Sequence, residues 1–327
     1  MATHEVSTWA EFVSAITSAA NGDIVKLIAD IDCNRVIPEG VASSIIPNAT
    51  QGLTIDGSYQ EGNVTKNHVI RNLRTSVSSP QAIFKWHFEN SSTTKTFNIK
   101  NIDFINLILD APLVAHYSNG SGTNQTIFRN CRFTGKRTDY LYSPTLNNNG
   151  YQYAYFYSCY FNIPYYGTSY TKSPLCAFED DSYHPIRSYA HYCRFKETYT
   201  RTWTPSTTTE VVCCSVSNTW LNGCRVEGTI VNGYSVYFHK SYIVNNLGTP
   251  SMQNVYDVDF KLTDNNSENV TIQALKGVVK VPVRKYSDNT PYGVGSYSTG
   301  VIPATESQMK DTTWLIQHNF DVVPSDT

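Results

Sequence analysis

Apolar and polar positions alternate along this chain in a block that repeats. Phe128-Arg129-Asn130-Cys131-Arg132-Phe133-Thr134-Gly135 is its clearest copy. Phe156-Tyr157-Ser158-Cys159-Tyr160-Phe161, His191-Tyr192-Cys193-Arg194-Phe195 and Leu221-Asn222-Gly223-Cys224-Arg225-Val226 echo it. Ile99-Lys100-Asn101-Ile102-Asp103-Phe104 fits the same template with Ile in the Cys slot. Side chains two apart on a strand share a face, so Cys131 and Phe133 point one way and Arg132 the other. The slot recurs at 102, 131, 159, 193 and 224, at intervals of 29, 28, 34 and 31 residues. Such a period predicts stacked coils, each laying its slot on that of the coil before. The interior ladder is then Ile102, Cys131, Cys159, Cys193 and Cys224, accompanied by Phe104, Phe133, Phe161 and Phe195. Asn101, Asn130 and Asn222 fall at or near one turn-proximal slot, where Asn tolerates a left-handed bend and can form a hydrogen-bonded ladder.

The flanks read differently. Residues 7–21 have helical spacing, with Trp9, Phe12, Val13 and Ile16 on one face and Thr8 to Glu11 matching a capping box. Asn21-Gly22 is the expected left-handed stop. Strand patterns follow over 23–31, 52–57, 68–73 and 82–88. From 234 the strands come about half as far apart as before. Residues 286–303, rich in Gly, Pro, Ser and Tyr, read as a linker, and 304–322 as a capped helix with Thr305 as N-cap and Gln308 at its third position. Polar insertions over 118–124, 138–152, 164–184 and 198–209 are expected on one side of the stack, where they would build a binding surface.

The run Trp9-Ala10-Glu11-Phe12-Val13, Ala15-Ile16, Ala19 and Gly22-Asp23-Ile24-Val25-Lys26-Leu27 resembles the opening of right-handed parallel β-helix proteins of the pectate-lyase-like superfamily. The run from Thr305 through Gln308-Met309-Lys310-Asp311, Trp314-Leu315 and Phe320-Asp321 is similar to a closing module of many bacterial and phage surface β-helix proteins. The resemblance implies an all-β chain: a single-stranded right-handed parallel β-helix with short N-terminal and C-terminal helices. Residues 1–33 would be the capping helix and first coil, 34–285 the β-helix, and 286–327 the linker and closing module.

Composition narrows the function classes. Only 16% of the 327 residues are charged and the net charge is −2, which argues against a nucleic-acid footprint. Tyr numbers 23, and with Asn, Ser and Thr it gives an uncharged, hydrogen-bonding exterior. No apolar run is long enough to insert in a membrane, and no secretory signal opens the chain. Of eight cysteines, Cys213 and Cys214 are adjacent and the ladder members lie mid-strand. They read mostly as buried free thiols, suited to assembly in a reducing cytoplasm, and none has zinc-like spacing.

Three polar clusters invite a chemical reading. Glu179, Asp180 and Asp181 with His184 and Arg187 are the densest acids, able to ligate Ca²⁺ or act as a glycosidase pair. A solvated bend explains them as well. Asp257 and Asp259 lie two apart on a strand and could share one face, which suits a two-carboxylate hydrolase or a metal, or the solvent face of a half-buried strand. Arg132, Arg194 and Arg225 occupy one slot and would make a basic stripe for an acidic glycan, or pair with surface acids. For binding, the loop aromatics Tyr140, Tyr142, Tyr165, Tyr166, Tyr170 and Trp203 supply flat area with hydrogen-bonding edges. No cofactor or metal is expected.

Fold alone decides no activity. The expectation is a non-enzymatic virion surface protein of a bacteriophage, a head or tail fibre or decoration component assembled in the host cytoplasm. Its partners would be other virion proteins and host cell-surface polysaccharide, and a homotrimer stays open. The alternatives are a β-helical polysaccharide depolymerase, lyase or glycoside hydrolase, and a bacterial adhesin.

Overall fold

The alternating blocks become parallel strands stacked in register. The structure, a computed structural model, describes residues 1–33, 45–74, 82–87, 93–117, 122–137, 141–144, 152–163, 186–196, 199–203, 206–210, 219–227, 236–239, 242–245, 251–262, 270–285, 288–291 and 293–319. The chain is all-β with parallel sheets, apart from short helices near its ends. It divides into two units, Met1–Tyr189 and Ala190–Thr327.

In the first unit each coil adds a rung to one sheet, turns, and adds a rung to a second. Ile24–Leu27, Gly52–Asp56, Lys95–Lys100, Asn124–Arg129 and Gln152–Tyr157 pair successively in the first sheet. Ile31–Asp32, Val64–Arg71, Ile102–Leu109, Arg132–Arg137 and Tyr160–Asn162 do so in the second. Phe84–His87, Val114–Tyr117 and Tyr142–Pro144 form a third. Phe104 lies opposite Phe133, and Phe133 opposite Phe161. Their rings stack at 5.3 Å and 5.4 Å. Phe128 and Phe156 stack at 4.9 Å on the first sheet. Burial of each such ring is worth about 1.5–3 kcal/mol. Every expected ladder residue is at most 2% exposed.

The thiols do more than fill space. Cys131 Sγ lies 3.5 Å from the Ile99 carbonyl, Cys159 Sγ 3.6 Å from that of Phe128, and Cys224 Sγ 3.2 Å from that of Ala190. Each of these sulfurs also lies near the carbonyl two residues earlier in its own coil, at 3.3 Å, 3.4 Å and 3.5 Å, so the single S–H has an acceptor on either coil at the corner where the chain leaves the first sheet. That favours Cys over an aliphatic residue of similar size: it is apolar, small and a weak donor. The five described cysteines, Cys33, Cys131, Cys159, Cys193 and Cys224, are free and buried.

A left-handed residue makes the turn between the sheets: Asn101 at φ 57°, Asn130 at 49° and Ser158 at 52° in the first unit, Tyr192 at 55° and Gly223 at 61° in the second. Asn222 is not in this slot. It sits one residue earlier, opposite the His191 position, with Nδ2 3.4 Å from His191 Nδ1.

The front cap forms as expected over Trp9–Ser18, with both halves of the Thr8–Glu11 capping box made. It buries Phe12, Ala15 and Ile16, and Phe12 stands edge-on to Phe84 of the third sheet. Its end differs from expectation. Ala19 is the C-cap in an extended conformation, and Gly22, at φ 84°, serves the turn into the next strand instead. Asp23 closes that link by accepting from the Ala20 and Ala2 backbone N–H groups. A further strand, Thr3–Val6, precedes the helix and pairs with Ile24–Leu27. The strand expected over 68–73 starts earlier, at Val64: its residues 64–67 pair antiparallel with Ser58–Glu61 in a hairpin turned at Gly62, and His68–Arg71 pair parallel in the second sheet.

In the second unit Phe195 lies opposite Val226, Val226 opposite Ile243, and Ile243 opposite Phe260. The shorter period is real: Leu221, Phe238 and Val255 follow one another in the first-sheet row. The stretch read as a linker contains the strands Val294–Tyr297 and Val301–Ala304, both paired with Val270–Lys280. The C-terminal helix is two, Glu306–Met309 and Thr312–Gln317. Asp311 interrupts them because its carboxylate accepts from the Thr313 and Trp314 N–H groups and starts a new helix. Thr305 and Gln308 make the expected capping box. Val278, Ala304 and Met309 form the core there, against Trp314 and Leu315.

Candidate functional site

The outward positions of the first sheet carry a row of stacked aromatic side chains. On Gln152–Tyr157 the side chains of Gln152, Ala154 and Phe156 are buried, and those of Tyr153, Tyr155 and Tyr157 alternate with them, half-buried. Strand alternation therefore sets three tyrosines on one line. Tyr155 and Tyr157 rings lie 6.1 Å apart, 8° from parallel. Tyr189 stacks on Tyr155 at 5.0 Å and 11°, and lies 6.2 Å from Tyr153. The Arg129 guanidinium sits 4.2 Å from the Tyr157 ring centre. Just past the turn, Arg132 sits 5.0 Å from that of Tyr160. These are cation–π contacts that fix both guanidinium planes against the sheet.

The row ending at Tyr157 is charged along its earlier rungs: Lys26, Asp56, Lys100 and Arg129 lie opposite one another in turn. Asp56 is held between Lys26 and Lys100, each Nζ 3.3 Å from Oδ2. Lys26 also donates to the carbonyl and hydroxyl of Ser58. Burial pushes the Asp56 carboxyl up. Hydrogen bonds from Ser58 and Asn101 and the Lys100 charge outweigh it and hold the group at about 2. A polar chain continues from there over the turn. Asn101 Nδ2 donates to Asp56 Oδ1, Asn130 Nδ2 donates to both Asn101 Oδ1 and Asn67 Oδ1, and Asn67 Nδ2 donates to Asp103 Oδ1. Carboxylates can only accept, so an acid at each end sets every amide between them.

The expected site residues fall elsewhere or outside the described residues. Glu179, Asp180, Tyr140, Tyr165, Tyr166 and Tyr170 lie outside them. Tyr142 stands opposite Val114 in the third sheet, and Trp203 opposite Ser206 in the antiparallel pair Tyr199–Trp203 with Ser206–Glu210. Asp259 stands opposite Tyr242 in the second sheet. Asp257 falls in the register shift between Val255 and Val258, where the strand passes from one sheet to the next. Of the arginine stripe, Arg194 and Arg225 lie opposite one another and exposed in the second unit. Arg132 lies between Asp103 and Tyr160. Among the described residues no group of His, Cys, Asp and Glu is placed to hold a metal ion.

The platform of Tyr153, Tyr155, Tyr157 and Tyr189 lies on strands and not on the insertions expected to build the binding surface. The signal was present: in Gln152-Tyr153-Ala154-Tyr155-Phe156-Tyr157 every second residue is Tyr.

No family model matches the chain, and no curated protein does. Among solved structures it is similar to an alginate lyase from Paenibacillus sp. str. FPU-7, at 10% identity and a TM-score of 0.35, over 92% of this chain and 99% of that one. A likeness at that level assigns no activity.

Proposed function

We propose that this chain is a non-enzymatic polysaccharide-binding surface protein, holding glycan against the tyrosine face of its first sheet. The observation that carries this reading is the stacked set of Tyr153, Tyr155, Tyr157 and Tyr189 beside Arg129. Such rings offer flat apolar area to the C–H faces of sugars and keep a hydroxyl for hydrogen bonds. Tyr has few rotamers to lose, so little entropy is lost on contact. The rings stand on paired strands rather than loops, which holds their spacing before any ligand arrives.

The C-terminal run from Thr305 to Asp321, which resembles a closing module of bacterial and phage surface β-helix proteins, supports placing it on a bacteriophage particle, as a head or tail fibre or decoration component. Its partners there are other virion proteins and host cell-surface polysaccharide, with a homotrimer as one assembly. The test is to incubate the purified protein with a panel of neutral and uronic-acid-containing bacterial polysaccharides, scoring both binding and product. Binding without release of reducing ends or unsaturated sugars is the expected result. Sustained product release would make the protein a depolymerase, and no binding at all would remove the glycan reading.

A further inference from the structure

The inward positions of Lys95–Lys100, Asn124–Arg129 and Gln152–Tyr157 fall in three rows. The row beside the turn is Ile99, Phe128 and Phe156. The middle row is Phe97, Thr126 and Ala154. The row at the strand starts is Lys95, Asn124 and Gln152, polar in consecutive coils and 0%, 0% and 2% exposed. Thr126 and Ala154, next to Asn124 and Gln152, are small where Phe97, Phe128 and Phe156 are large.

Asn124 is the informative member. It is fully buried, and neither Oδ1 nor Nδ2 has a hydrogen-bond partner in the protein. Buried amides are rarely left so, because each unmet donor or acceptor has given up its bond to water. The group that completes this one must accept from Nδ2 and donate to Oδ1. A halide or carboxylate only accepts, and a cation would meet only the oxygen. Water does both, in a polar site with neighbours to share.

We propose that ordered water occupies the interior of the first unit at Asn124, bridging its amide to the Lys95 and Gln152 side chains on the coils before and after. Parallel neighbours stand about 4.8 Å apart, a separation that a bridging water spans. The water would tie three coils together where aromatic stacking stops.

Two measurements test this. Water-oxygen relaxation dispersion on the native protein and on Asn124→Leu should show long-lived water whose amplitude drops in the variant, with a melting temperature lower by several degrees. Unchanged amplitude, or a variant that melts at the same or a higher temperature, would overturn the proposal. Should Asn124→Leu not fold, an atomic-resolution crystal structure of the native protein decides. Density within hydrogen-bond reach of both amide atoms supports the site. A dry site, or density that becomes anomalous on bromide soaking, overturns it.

Discussion

The side-chain amide of Asn130 donates to Oδ1 of Asn101, 3.0 Å away and one coil earlier, while its own backbone sits at φ 49°. One residue thus makes the turn and the bond between turns. Asn130→Ala loses the amide, which donates to both Asn101 and Asn67, and leaves in the left-handed region a residue that tolerates it less well than Asn. About 1 kcal/mol for each lost bond is expected, with a smaller backbone cost added. Asn130→Gly relieves the backbone cost, so it should destabilise less. Urea denaturation of both variants checks the order, and Asn130→Gly proving the worse of the two would contradict it.

Stability should fall in acid through identifiable carboxylates. Asp56 is held at about 2 against an ordinary 3.8, as is Asp23, through hydrogen bonds from the Ala2 N–H and the His4 side chain. Both folded values lie below the unfolded ones. Their contribution is therefore present above about pH 4 and lost as pH falls toward 2. Asp56→Asn should flatten only part of the slope in that window, because Asp23 still titrates there. Melting temperature against pH for native and variant protein measures it. An unchanged slope would show that the Lys26–Asp56–Lys100 contacts contribute nothing.

The thiol ladder should be chemically silent in the native state. Burial, then the neighbouring Asp32 carboxylate, pushes Cys33 up to about 12, and the ladder cysteines are at most 2% exposed. Thiolate is the reactive form. Iodoacetamide on native protein should leave Cys33, Cys131, Cys159, Cys193 and Cys224 unlabelled, and denaturation without reductant should expose all five to peptide mass mapping. Labelling that needs a reductant would mean disulfides instead.

Gly135 should tolerate no side chain. Its φ is 146°, and a Cβ built there would overlap the backbone of Leu107 on the neighbouring strand. The register shifts at this point, between Phe133 and Gly135. Gly135→Ala is expected to cost roughly 3 kcal/mol or more, among the large single-residue effects. Chemical denaturation gives the value, and a loss below about 1 kcal/mol would show that the irregularity can relax.

What was legible in the sequence was whatever repeats. The slot recurs because each coil turns the same corner and needs a buried apolar residue there, Ile102 or Cys, and the Phe two residues on recurs because rings stack best on rings. The Thr8–Glu11 box was legible because both partners lie within one turn. The hairpin Ser58–Glu61 with Val64–Arg71 was not, since it interrupts the period and depends on the two-residue turn at Gly62-Asn63. Nor was the Tyr155–Tyr189 contact, which joins residues from different coils across an insertion of unpatterned length. Asp311 was read as part of one helix because an N-cap inside an apolar-spaced run looks like any other polar position.

The tyrosine face is tested most directly by titration. The best-binding polysaccharide of the panel would be titrated into native protein, Tyr155→Phe and Tyr155→Ala by calorimetry. Ring contact predicts that Tyr155→Phe stays within a few-fold of native, and that Tyr155→Ala weakens binding about tenfold, the worth of roughly 1.4 kcal/mol. Equal affinity for all three proteins, with the fold intact by circular dichroism, would contradict it.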